Sequence, residues 1–262
     1  MAYTFVPANN DYIDYGDNND MGISDWSCWA YAKTSNSGTA MSIVGKESFL
    51  STADGFYFYK PTNDTLRYIF GNGSTSRFAT STATINTGAA LTLGGSLDRS
   101  GNIITYVSGA QDGSTDATAL NGADIQNAIT LQVGALGSNL AKWDGTIYSV
   151  AMWSRVVTPA EFLLLEKVRN PFFVPDSLVF AANYMRNVND VWGGLVGTNN
   201  GADEADNERM YAPGTLLTNT SFKSSGAAPT EDKLSRTLPG SVYSGVRAAA
   251  SSPIRRRRKS VT

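Results

Sequence analysis

Strand-prone segments broken by turn residues about every 8–12 positions constrain this chain most. That spacing leaves no room for the helix that an α/β sheet places between each pair of parallel strands. It is the pattern of an all-β sandwich or jelly roll. The 262 residues, 42% of them apolar, suffice for one sizeable core. Aromatic residues at 11% and charged residues at only 17% fit a β-rich globular body and not a coiled coil or a wholly disordered chain.

Individual segments carry the pattern. Trp26–Lys33 would turn Trp26, Cys28, Ala30 and Ala32 to one face and Ser27, Trp29, Tyr31 and Lys33 to the other. Apolar groups on both faces predict a central strand covered on both sides. Residues 55–59 set Phe56 and Phe58 opposite Tyr57 and Tyr59. Residues 90–97, 103–107 and 146–153 are further strands, and Asp98-Arg99-Ser100-Gly101-Asn102 predicts a hairpin turn. One more strand runs from Leu178 to Tyr184, followed by a polar loop over 189–207.

A single short helix is expected. Thr158 is its N-cap, Pro159 takes the first helical position, and Glu161 completes a capping box. Phe162, Leu165 and Val168 can line one side, and Asn170-Pro171 stops it.

Charge divides the chain. Residues 213–262 hold nine of the 21 Lys/Arg and two of the 23 Asp/Glu, a net of +7, which leaves −9 on residues 1–212. The 213–262 stretch is rich in Ser, Thr, Gly, Ala, Pro and Arg without apolar periodicity, and reads as an extended basic arm. Arg255, Arg256, Arg257, Arg258 and Lys259 are its anion-contact residues, suited to phosphates or to an acidic protein surface.

Several chemistries are excluded. No His is present, so His-based triads and His-ligated zinc are ruled out. The lone Cys28 forbids an intrachain disulfide and a multi-cysteine metal site. No apolar run approaches the ~20 residues of a membrane span. The first ten residues lack a signal peptide's basic and apolar regions, so synthesis in a cytoplasm is expected.

Residues 145–161 open with Gly145-Thr146-Ile147, pass through Trp153 and Arg155, and end in the capped helix start. This run resembles the closing signature of laminin-G-like, concanavalin A-like domains. Residues 91–109, which end in Tyr106-Val107-Ser108-Gly109, look like that family's hairpin. Asn10 to Asp14, Ser27 to Lys33 and Ser42 to Lys46 precede it in the family's order, and Leu131-Gln132-Val133-Gly134 follows. The likeness covers about residues 5–168. The stretch from Leu178 through Asn187-Val188-Asn189-Asp190 to Gly193-Gly194 looks like the strand and loop that usually open such domains. It is expected to complete the same sandwich in a permuted arrangement, with the domain spanning 1–212.

The resemblance implies a two-sheet jelly roll with a concave face; the role expected for this chain is non-catalytic. Members of the family include lectins, adhesion modules, glycosidase accessory domains and virion proteins of tailed bacteriophages. With the basic arm, it implies a virion structural protein, a capsid decoration, cement or minor head protein. Its partners would be capsid or other virion proteins, copies of itself and, through the arm, nucleic acid. The alternative is a lectin or adhesin of a phage tail or head fibre, binding cell-surface glycans.

Tyr57, Tyr59, Tyr68 and Trp143 are the candidates for stacking on sugar rings. A third reading is a glycoside hydrolase, because Glu204-Ala205-Asp206-Asn207-Glu208 resembles the laminarinase pattern. On one strand face, Glu204 and Glu208 could act as the carboxylate pair about 5–5.5 Å apart of a retaining enzyme. Calcium is a candidate cofactor, since Asp11, Asp14, Asp17, Asn18, Asn19 and Asp20 crowd one stretch.

Overall fold

The computed structural model describes residues 2–47, 54–137, 140–184 and 187–206. Two antiparallel sheets face one another. The first runs β10 (Ala110–Asp116), β9 (Asn102–Val107), β8 (Leu91–Leu97), β3 (Trp26–Lys33), β12 (Gly145–Trp153), β1 (Ala2–Phe5), β15 (Asp203–Ala205). The second runs β14 (Thr198–Asn200), β2 (Tyr12–Asp14), β11 (Gln132–Val133), β4 (Met41–Lys46), β5 (Asp54–Lys60), β6 (Thr65–Asn72), β7 (Ser76–Thr84).

The alternation expected of β3 holds. Trp26, Cys28, Ala30 and Ala32 enter the core between the sheets with Phe56, Phe58, Leu66, Tyr68 and Phe70. Trp29 and Tyr31 point the other way, into a second apolar layer with Tyr106, Tyr148, Trp153, Phe162 and Leu165. That layer is closed by α1 (Pro159–Val168). Burying Phe162 and Leu165 contributes about 1.5–3 kcal/mol each, more than the weak propensity of a ten-residue helix could supply. The cap is as expected. Glu161 N–H donates to Thr158 Oγ1, Thr158 N–H donates back to Glu161 Oε2, and Arg155 grips the same carboxylate at 2.7 and 2.9 Å.

The hairpin turn at 98–102 joins β8 to β9, with Leu97 opposite Ile103. Its Arg99 is buried, not a solvated turn residue. The guanidinium donates to the carbonyls of Gly22, Ser24, Leu120 and Ala123 at 2.6–3.1 Å, which ties three loops together.

β13 (Leu178–Asn183) pairs with β12 over Ser149–Trp153, while β1 pairs with the same strand at Gly145–Ile147. The two thus lie end to end along one edge of β12, and the strand from 178 does complete this sandwich. The polar stretch after it departs from expectation. It is not all loop: Thr198–Asn200 and Asp203–Ala205 extend one edge of each sheet. Edge strands need backbone partners, not apolar side chains, so the side-chain pattern does not announce them.

Candidate functional site

The four residues expected to stack on sugars are all buried, with exposures of 7, 5, 0 and 1% for Tyr57, Tyr59, Tyr68 and Trp143. Tyr68 lies on the inward register of β6 and packs edge-on against Phe58 and Phe70. Trp143 belongs to the same core. Tyr57 and Tyr59 do face outward from β5, but Leu136 covers them, packed into the space that Gly45 leaves by having no side chain. None of the four offers a ring to solvent, because apolar area is worth more under cover than in water.

The cover stops short of the next strands. On β6 and β7 the outward register carries Arg67, Ile69, Phe78 and Thr80, with Ile69 opposite Phe78 and Arg67 opposite Thr80. Phe78 stays 45% exposed on the sheet face. Arg67 lays its guanidinium carbon 4.6 Å from the Phe78 centroid and 5.9 Å from that of Tyr59. Its Nε–H donates to Thr80 Oγ1 at 2.8 Å and its Nη1–H to Tyr59 OH at 3.2 Å. The Tyr59 ring leans on Tyr57 at 4.7 Å. Burial pushes the Tyr57 phenol well above its ordinary range, so it stays neutral.

The result is a half-exposed aromatic ring with a cation held over it by two hydroxyls. That combination matches the apolar and polar faces of a sugar ring. Sequence reasoning missed Phe78 and Arg67. The available signal was a lone aromatic among hydroxyls in Ser76–Thr84.

The Asp-rich stretch resolves differently. Lys46 is buried on β4 and sends its ammonium to the carboxylates of Asp17 and Asp20 and to the Ile129 carbonyl. Its three donors are thereby used. Asp14 accepts from Gly16 N–H, and Asp11 accepts from Val6 N–H, so those carboxylates shape turns. Calcium wants six to eight oxygens, and an ammonium already sits between the two nearest carboxylates. Among the described residues no three acidic or sulfur ligands gather at one point. The donor set does not fit the ion.

Glu204 lies exposed on β15, opposite Tyr3, and the strand ends at Ala205. The alternation needed to align Glu204 with a residue four positions on therefore stops at once. Glu208 and the basic run Arg255–Lys259 lie outside the described residues, as does the whole arm.

Residues 7–162 match the family described as the Concanavalin A-like lectin/glucanases superfamily. Among solved structures, a candidate carbohydrate-binding protein from Bacteroides ovatus ATCC 8483 is similar. Its TM-score is 0.61 at 16% identity, covering 80% of this chain and 61% of that one, so the chain spans about three fifths of its length. A heptameric SAP-like pentraxin from Limulus polyphemus gives a TM-score of 0.51 at 13% identity, over 74% of this chain and 87% of that one. These likenesses are likenesses of fold. No curated protein sequence matches the chain.

Proposed function

The chain belongs to the concanavalin A-like lectin/glucanases superfamily, and on that premise we propose that it is a non-catalytic carbohydrate-binding protein. The sugar-facing surface is the outer face of β6 and β7. The observation that carries this reading is Phe78, an aromatic ring 45% exposed on the outer face of the edge strand β7, with the Arg67 guanidinium held over it. A ring so placed stacks on the C–H face of a sugar, while Thr80 and the Arg67 N–H groups take its hydroxyls. The similar fold of the candidate carbohydrate-binding protein from B. ovatus supports the reading. A glycan array probed with the full chain tests it. Binding to at least one sugar class is expected, reduced about tenfold in Phe78→Ala and kept in Phe78→Trp. Absence of binding to any sugar would sink the proposal.

The charge split favours a second, compatible reading at the level of assembly. A body of −9 joined to an arm of +7 suits a virion structural protein that displays the sandwich and attaches through residues 213–262. The arm would meet capsid proteins, other copies of the chain or nucleic acid. Deleting 213–262 is expected to abolish incorporation into particles and to leave sugar binding unchanged. Normal incorporation of the truncated chain would refute this role.

A further inference from the structure

Arg67 is the unusual member of the exposed face. Two other cations, Lys33 over Tyr148 and Arg169 over Tyr31, also lie on rings, but those rings are buried, whereas Arg67 lies over the exposed Phe78. Lys46, Lys60 and Arg155 pair with carboxylates, and Arg99 is saturated by carbonyls. Arg67 is half-buried on a sheet, and no carboxylate lies within ion-pairing distance of it among the described residues. Its protein contacts are two hydroxyls and two aromatic rings. Of its five N–H donors, two are used, by Thr80 and Tyr59.

Those two bonds and the Phe78 ring fix the plane of the guanidinium. A fixed fork with three donors to spare, beside apolar surface that excludes water on one side, is a preorganised receptor for a planar or tetrahedral oxyanion. Glu47 and Arg67 act with opposite sign on the Tyr57 phenol, and the Asp112 carboxylate is taken up by Thr82 Oγ1–H and Ala83 N–H further along β7.

Resting on the carbohydrate-binding reading above, we propose that this face selects sugars that carry an anionic group, a carboxylate or a sulfate, which Arg67 takes while Phe78 stacks on the ring. A neutral sugar would leave the three remaining donors to water. An acidic one exchanges that water for charge-assisted hydrogen bonds, each about twice as strong as a neutral one.

The test is an array of paired glycans probed with the full chain: sialylated beside asialo, uronic acid beside its carboxyl-reduced form, sulfated beside desulfated. Acidic members are expected to bind at least about tenfold tighter than their neutral partners. The advantage should shrink as salt rises from 20 to about 300 mM, where screening shortens to a few ångströms. The sialic, uronic and sulfated arms separate carboxylate from sulfate recognition. Arg67→Gln should erase the acidic advantage and keep the neutral baseline, Arg67→Lys should restore part of it, and Phe78→Ala should weaken both members of each pair. A salt-dependent acidic preference that survives Arg67→Gln would come from the basic run Arg255–Lys259 and would overturn the inference. Equal binding within every pair, or salt-independent preference, would overturn the inference and leave sugar binding standing. Absence of binding throughout would overturn both.

Discussion

The Lys46 ammonium lies 3.2 Å from the Asp20 carboxylate and also contacts that of Asp17, at the rim of the sandwich where the acidic stretch 11–20 turns. A lysine with 2% of its side chain exposed thus serves as the loop's resident cation. The thermal midpoint is expected to be the same in EDTA and in millimolar calcium. Lys46→Met should cost about 1–3 kcal/mol, less than a fully buried pair because both aspartates are half in water. A calcium-dependent rise in the parent's midpoint would refute this account.

Arg99 ties loops that are far apart in sequence through four carbonyls. Arg99→Ala would orphan those acceptors in a buried site and is expected to lose about 2–4 kcal/mol. Arg99→Lys should recover only part, since an ammonium has three donors and no fork. Urea unfolding of the three proteins measures it. A loss below about 0.5 kcal/mol, the usual size for a surface change, would mean the network is dispensable.

Acid should weaken the cap of α1. The hydrogen bonds from Arg155, and those from Thr158, hold Glu161 at about 2, well below the ordinary carboxylate range. Asp64 is likewise lowered to about 2, chiefly by its hydrogen bonds from Lys60 and Ser37. A lowered folded-state value means stability that is present above about pH 4.5 and is lost as pH falls towards 2. Urea midpoints at pH 7, 4 and 2.5 should fall in that order. Glu161→Gln should start lower and fall less steeply, and a parallel pair of curves would contradict the assignment.

Adjacent glycines on β8 seat one side chain on each face of the sheet. A Cβ on Gly94 would stand 2.5 Å from the Phe162 ring, and one on Gly95 would stand 2.2 Å from the ring of Tyr68. Gly95→Ala is expected to cost about 1–3 kcal/mol by overpacking the inter-sheet core. Gly94→Ala should loosen α1 instead, visible as faster amide exchange at Phe162 and Leu165 with the core unaltered. Neutral behaviour of Gly95→Ala would show that Tyr68 can move aside.

Much of the scaffold could be read from local patterns. Trp26–Lys33 shows both its faces, Thr158 to Glu161 declares the helix start, and Asp98 to Asn102 marks the hairpin. The short strands Gln132–Val133, Thr198–Asn200 and Asp203–Ala205 could not be read this way. They are held by backbone pairing to neighbours distant in sequence, and no side-chain period marks that. The site divides along the same line. The aromatic alternation at 55–59 correctly separated Tyr57 and Tyr59 from Phe56 and Phe58, yet Tyr57 and Tyr59 are covered.

The sequence by itself determined the all-β class, the two-faced central strand, the capped helix and the charge split between residues 1–212 and 213–262. Each depends on residues adjacent or nearly adjacent in the chain, where steric period, capping chemistry and charge act locally. Only the tertiary structure decided which outward aromatic meets water. Leu136, seated over Gly45, closes the surface above Tyr57 and Tyr59 and leaves Phe78 and Arg67 open on the neighbouring strands. Burial is a property of what arrives from elsewhere in the chain, so the lone aromatic among the hydroxyls of Ser76–Thr84 marks a candidate without revealing that it stays exposed.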